Sequence, residues 1–162
     1  MGNENIDIRI EEHKAFKVCG KKTWISGQDN SQFENFWKDA HESGMVQELK
    51  NATNPSVNVT KSDILGVSCV EQDPNNRAFD FYIASECEDL QGYDQYVVPA
   101  SMWAIFRNKG SLPMSLVNAE MYAFMEWLPK SGYEHAMAPE LEVYLAGERD
   151  TVEFWMPVKR RN

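Results

Sequence analysis

The side chains best suited to chemistry stand on a short alternating stretch, Glu140-Leu141-Glu142-Val143-Tyr144-Leu145, and on the run Val152-Glu153-Phe154-Trp155-Met156-Pro157-Val158. Successive side chains of a strand point to opposite faces. Leu141, Val143 and Leu145 therefore share an apolar face, and Glu140, Glu142 and Tyr144 share the other. Gly147-Glu148-Arg149-Asp150 between the two runs predicts a hairpin turn. In the second run Val152, Phe154, Met156 and Val158 share a face, and Trp155 with Glu153 is expected on the side of the carboxylates and Tyr144. Carboxylates beside a phenol and an indole suit a flat organic cation, which gains both charge pairing and contact with aromatic faces.

Composition narrows the function classes. The 162 residues are about one domain's worth and carry a net charge of −9. That charge argues against direct nucleic-acid binding, since phosphate recognition needs clustered Lys and Arg, and the only basic cluster is Lys159-Arg160-Arg161. No apolar run approaches the roughly 20 residues that cross a bilayer. The start, MGNENIDIRIEE, lacks the basic-then-apolar pattern of a signal peptide, and Met1-Gly2 is followed by Ile6 where a myristoylation signal carries Ser or Thr. A cytoplasmic location is expected. Cys19, Cys69 and Cys87 show no CxxC spacing, so neither a disulfide framework nor a thiolate metal site is expected. His13, His41 and His135 are scattered and predict no metal centre. There is no phosphate-binding or nucleophile-elbow motif, and no cofactor is expected.

The elements that must position Glu142 follow from periodicity. Residues 6–26 alternate as one bent strand or two short ones. Ser31-Gln32-Phe33-Glu34 reads as a capping box, opening a helix whose stripe is Phe33, Phe36, Trp37 and Ala40, and which Gly44 ends. A short helical piece covers Met45 to Lys50. Residues 63–71 and 78–84 form a hairpin around Asp73-Pro74-Asn75-Asn76, with Phe79, Phe81 and Ile83 facing one way and Asp80 and Tyr82 the other. Ser85 to Tyr93, including Glu86-Cys87-Glu88-Asp89, reads as a solvated acidic loop. Strand recurs at Tyr96 to Pro99 and at Met102 to Phe106. A helix over 113–128 follows, with Val117, Met121, Phe124, Met125 and Leu128 as its buried stripe, then a loop from Lys130 to Pro139 and the closing hairpin.

The order strand, helix, hairpin thus occurs twice, at about 6–90 and 94–160, within a single domain over 1–162. The predicted fold is α+β: two β-α-β-β repeats related by a pseudo-twofold axis, their strands joined in one antiparallel sheet, helices on one face and a ligand cleft on the other. Phe81-Tyr82-Ile83 and Phe154-Trp155-Met156 close equivalent hairpins, which makes Tyr82 the counterpart of Trp155.

Val98-Pro99-Ala100-Ser101-Met102-Trp103-Ala104-Ile105-Phe106 with Lys109-Gly110 resembles the strand and turn of GyrI-like small-molecule-binding domains, among them the effector-binding domains of multidrug-responsive bacterial regulators. Glu142-Val143-Tyr144 and Phe154-Trp155-Met156-Pro157-Val158-Lys159 resemble that family's closing hairpin, and Phe79-Asp80-Phe81-Tyr82-Ile83 its first. The resemblance covers nearly the whole chain. It implies a cleft for hydrophobic, often cationic compounds, with Glu142 matching the glutamate that meets the positive charge and Tyr144 its aromatic neighbour. Trp155, Trp103, Tyr82, Phe106 and Trp24 complete the expected ligand-binding set. Residues 1–12 read as the first strand of the domain, with no helix-turn-helix ahead of it, so a regulatory role would need a separate DNA-binding protein. The leading expectation is a stand-alone binder that sequesters cationic drugs or toxins. The alternatives are a hydrolase of reactive electrophiles in which Glu142 activates water, and an inhibitor that binds a protein partner through an acidic surface.

Overall fold

The structure is a computed structural model, and it describes residues 6–162. The Met1-Gly2 start therefore lies outside the described residues. The elements are β1 (Asp7–His13), β2 (Phe16–Ser26), α1 (Ser31–Glu42), α2 (Met45–Asn51), β3 (Ser62–Ser68), β4 (Ala78–Glu86), β5 (Asp94–Val98), β6 (Ser101–Lys109), α3 (Met114–Tyr122), β7 (Tyr133–His135), β8 (Glu140–Leu145) and β9 (Thr151–Arg160). Helix α3 runs on through a wider π-type turn, Ala123–Trp127, to Leu128–Lys130.

The strands form one nine-stranded antiparallel sheet in the order β1-β6-β9-β8-β3-β4-β2-β5, with β7 paired to β9. The order is symmetric about the central β8–β3 pair: β6-β9-β8 on one side answers β2-β4-β3 on the other. Only Lys14 and Ala15 join β1 to β2, and only Pro99 and Ala100 join β5 to β6, yet each pair belongs to opposite ends of this order. A link of that length spans no more than about 11 Å. The sheet must therefore curl until its two ends approach each other.

Curling gives the sheet two different faces. On the inner one, Val18 and Val98 from one end pack in a single cluster with Trp103, Ile105 and Trp155 from the other, and no helix takes part. The outer face carries the helices in two separate groups. Helices α1 and α2 cover Ile25, Ile64, Phe79, Phe81 and Ile83. Helix α3 covers Ala104, Phe106, Phe154 and Met156. The two groups meet at the β3–β8 pair, where Tyr144 packs against both.

Several local expectations are corrected. Asp29 and Gln32, rather than the Ser31 hydroxyl, serve the start of α1: Ser31 N–H donates to Asp29 Oδ1 at 2.9 Å, and Gln32 Nε2 donates to Ser26 O and Asp29 O. Glu86 is not solvated. It is buried at the end of β4 and accepts from Val59 N–H, Thr60 N–H and Thr60 Oγ1, pinning the loop before β3. Helix α3 buries Ser115, Leu116, Ala119 and Ala123, while Met121, Phe124 and Met125 are exposed. Its small residues, one turn apart, let the helix lie close on the sheet, and its large residues turn towards the β3–β8 pair or solvent.

Candidate functional site

Glu142 lies on β8 directly opposite Gly66 on β3 and Phe154 on β9. Residues paired across a ladder share a face, so Glu142 and Tyr144 belong to the helix-bearing face. Gly66 makes the space. A Cβ there would stand 2.8 Å from Glu142 Oε1 and 2.9 Å from Phe81 Cζ. The carboxylate lies low over the sheet, on the floor of a cleft between α1 and α3, half-buried.

Glu142 has one hydrogen-bond partner among the described residues, the Tyr144 hydroxyl, which donates to Oε1 at 2.6 Å. The Tyr144 ring meets Trp37 of α1 edge-on, centroids 5.4 Å apart. Further along the α1 wall, Phe33 meets Phe81 edge-on at 5.0 Å. On the opposite wall Phe124 packs on Phe154 at 5.9 Å and stacks on His135 at 6.1 Å. His135 Nδ1 is 2.6 Å from Ala136 O, so it carries the proton, and Nε2 is 2.8 Å from Glu140 Oε2. Glu120 stands on α3, one helical turn before Phe124. An open depression of about 430 Å³ is bounded by Asp73, Pro74, Phe124, Leu128, His135 and Met137. It meets the cleft at Phe124 and His135 and stops short of Glu142.

The electrostatics follow from this enclosure. Burial pushes the Glu142 carboxyl up to about 7; the Tyr144 hydroxyl opposes the shift and Glu140 adds to it. Burial raises Glu120 well above the usual carboxylate range, Glu142 and then Glu140 add to it, and Arg77 opposes. The Tyr144 hydroxyl is raised too, first by burial and then by Glu142.

The structure does not bring the whole expected set together. Leu141 pairs with Trp155, so Trp155 and Glu142 stand on opposite faces. The expectation that Trp155 joins the carboxylates is overturned by one residue of register, which inverts every side chain of a strand. Trp155 and Trp103 are fully buried on the inner face, centroids 5.6 Å apart. Tyr82 is also on the inner face, beside Tyr96 at 5.2 Å. Trp24 pairs with Asp80 and thus shares the face of Tyr82, where it is 58% exposed. Phe106 is on the helix-bearing face but fully buried beneath α3, with Trp127 edge-on at 5.2 Å. Glu142 and Tyr144 lie on the helix-bearing face of the sheet. Phe33 and Trp37 pack against the core, as their helical spacing predicts, while Phe124, expected in a buried stripe, is exposed; Glu120 and Gly66 lie outside the expected set. Glu120 had a signal: it is the only charged residue from Met114 to Met125, one helical turn before Phe124. Among the described residues, no group of His, Cys, Asp and Glu is arranged to hold a metal ion.

The chain matches the GyrI-like small-molecule-binding domain over residues 6–159. It belongs to this family. A search of curated protein sequences gives no match. Among solved structures, the domain is similar to SAV2435 bound to tetraphenylphosphonium, with a TM-score of 0.79 and 18% identity over 94% of each chain. It is similar to a putative bacterial transcription regulation protein from Staphylococcus aureus, with a TM-score of 0.71 and 19% identity over 94% of this chain and 98% of that one. It also resembles the C-terminal domain of EcmrR, with a TM-score of 0.61 and 18% identity over 96% and 99% of the two chains. At these identities the likeness is one of fold: a mostly antiparallel α+β sheet with helices. No helix of the described residues is long and apolar enough to cross a membrane.

Proposed function

We propose that the cleft binds hydrophobic small-molecule cations, seating the positive charge at Glu142 and the apolar body against Tyr144, Trp37 and Phe124, and that the protein acts by sequestering them. The observation that carries this reading is a half-buried carboxylate on the helix-bearing face with a phenol as its only hydrogen-bond partner among the described residues. An ionised carboxylate in such a place lacks its full hydration, and a bound cation supplies the missing charge. The rings add dispersion and cation–π attraction. That SAV2435 was solved with tetraphenylphosphonium, a lipophilic cation, supports the same ligand class. Three free thiols fit a reducing, cytoplasmic compartment. The net charge of −9 does not fit direct nucleic-acid binding.

The test is calorimetric titration with tetraphenylphosphonium and neutral tetraphenylmethane-type analogues made soluble by uncharged groups. Glu142→Gln keeps the shape and removes the charge. Cation affinity is expected to fall roughly 30-fold or more, the scale of losing a partly buried charge pair, while neutral ligands change less than about twofold. Equal losses for both classes would sink the reading. A hydrolytic reading draws on one observation, the second carboxylate, Glu120, near the first. Turnover of an electrophile that disappears in Glu142→Gln would put that reading in its place.

A further inference from the structure

Helix α3 is apolar on two sides. Its small side, with Ser115, Leu116, Ala119 and Ala123, is buried on the sheet. The side turned away carries Met114, Val117, Met121, Met125 and Leu128. A helix that is apolar all round is normally enclosed all round. Here Met114, Met121 and Met125 are each more than half exposed, and Val117 and Leu128 are partly so. Met125 is the most open of them, so the stripe keeps its side through the wider turn at Ala123–Trp127. Phe124 and Met137, both exposed, extend the patch along the depression that they share with Leu128. A fully exposed side chain of this size presents on the order of 200 Å², and the five exposed ones leave roughly 500 Å² uncovered, a large apolar patch for a monomer. Only one charged residue, Glu120, lies between Met114 and Met125, on a chain whose net charge is −9.

We propose that this stripe is a dimerisation surface, on which α3 packs antiparallel against α3 of a second copy of the chain. The spacing names the occupant. Met114, Val117, Met121, Met125 and Leu128 follow one another at steps of three, four, four and three residues, an order that reads the same from either end. A twofold axis at Met121 therefore sets Met121 against its own copy, Val117 against Met125 of the second copy, and Met114 against Leu128 of the second copy. An isologous interface needs a self-complementary strip of this kind, and antiparallel helices bring opposite dipole ends together. Charge selects the same place. Two molecules of net charge −9 repel each other, and they approach at least cost where the surface carries almost no charge. The same net charge disfavours an anionic membrane as the occupant. The two patches together reach roughly 1,000 Å², the lower end of a specific interface, so the dimer is weak. Methionine side chains suit such a contact, because they adapt to one another without strain. The proposal is independent of the cation site at Glu142.

The test is sedimentation equilibrium of the full chain over a protein concentration of roughly 1–500 μM at physiological salt. The wild type is expected to pass from monomer to dimer with a Kd on the order of 10–100 μM, the scale of a small interface. Met121→Lys sets two ammonium groups against each other at the axis and is expected to weaken the dimer roughly 30-fold or more. Met121→Leu keeps the apolar volume and should hold the Kd within about threefold. Met121 is exposed, so both variants should melt close to wild type, which checks that they are folded. The register is read with a short bifunctional maleimide. Met121→Cys should join two chains, whereas Met114→Cys should not, because antiparallel pairing sets the two copies of position 114 about 20 Å apart. Wild type treated alike gives the background from Cys69 and Cys87. A wild type that stays monomeric to about 500 μM overturns the proposal and leaves the patch to another protein or to a ligand. A dimer that Met121→Lys leaves intact overturns it too, as does Met114→Cys linking as readily as Met121→Cys. Each of these results leaves the cation site standing.

Discussion

Two glutamates on neighbouring strands face opposite sides of the same sheet, and their surroundings differ in kind. Glu153 on β9 is fully buried on the inner face and fully served: Arg9 reaches both of its oxygens, at 2.9 and 3.2 Å, and Trp155 Nε1 donates to it at 2.9 Å. Arg9 is held in turn by Glu11, and Glu11 by His13, whose ring stacks on Trp155. Glu142 on β8 has a single phenol. The inner-face glutamate carries its cation within the fold, and the outer-face glutamate has none among the described residues. Burial of a carboxylate is therefore not what marks a site in this molecule. What sets Glu142 apart, and what the proposed cation site rests on, is partial burial without a counter-charge among the described residues.

The comparison breaks most visibly at Arg9. Arg9→Met removes the resident cation and leaves Glu153 buried with only the indole N–H. The expected cost is about 3 kcal/mol of stability, the range for breaking a buried pair on one side, read from chemical denaturation. Ligand binding at the cleft should be unchanged, because the inner face is separated from it by the sheet. A stability loss below about 0.5 kcal/mol would place the pair with ordinary surface ion pairs and remove the contrast with Glu142.

Gly66→Ala sharpens the other side. The added methyl would meet Glu142 Oε1 at 2.8 Å and Phe81 Cζ at 2.9 Å, closer than these atoms pack without moving. The expected destabilisation is about 1–2 kcal/mol, together with weaker cation binding as the carboxylate is pushed off the floor. Unchanged cation affinity in a correctly folded variant would show that the position of Glu142 over Gly66 does not matter to the ligand.

Much of this was legible in the residues, and the limits have physical causes. The strands, the hairpins and the importance of Glu142 and Tyr144 follow from period-two alternation and from the family resemblance. The face on which each lies does not. Alternation says that Glu142 and Tyr144 share a side and that Phe154 and Trp155 do not, but the hairpin register decides which of those two joins Glu142, and the four-residue turn Gly147-Glu148-Arg149-Asp150 leaves that open. Tryptophan attracted the functional reading because it is large and amphipathic, yet Trp103 and Trp155 fill the interior of a curled sheet whose curvature is visible only in the short β1–β2 and β5–β6 links. The helices show the converse. Phe124 looked like core because it is apolar and correctly spaced, while Ala119 and Ala123, which are buried, offered too little side chain to weigh. Glu86 and Glu153 show the same limit for charge. A buried carboxylate and a solvated one are the same letter until their partners are known.

The difference between the two glutamates also has a pH signature. Burial holds the folded-state Glu142 carboxyl at about 7, above its value of 4.5 in an unfolded chain. The folded protein then binds more protons than the unfolded one between those values, so this group's contribution lowers stability as pH rises from about 4.5 to about 7. Above that range the penalty is complete, and below it absent. The ligand-free wild type should lose stability relative to Glu142→Gln across this window, and the two curves should run parallel on either side of it. A bound cation reverses the sign by favouring the ionised form, so the stabilisation it confers should grow over the same window. Parallel curves throughout would mean that Glu142 titrates as a solvated carboxylate and has no need of a guest.

The smallest effect expected is that of the one protein partner Glu142 has. The Tyr144 hydroxyl donates to the carboxylate and so favours the ionised form, opposing the upward push of burial. Tyr144→Phe keeps the ring that packs on Trp37 and removes only that donor. The carboxyl should move further up, by on the order of one pH unit or less. The pH at which cation affinity reaches half of its plateau should move up with it, and the plateau should change little, because at high pH the ligand itself supplies the counter-charge. A midpoint that stays in place or moves down would mean that the hydroxyl does not hold the carboxylate in its ionised form. A fall in the plateau with no shift in midpoint would instead assign the hydroxyl a direct contact with the ligand. Either outcome changes what distinguishes Glu142 from Glu153: with an ineffective phenol, the outer-face carboxylate is held by the fold alone, and its whole counter-charge must come from outside.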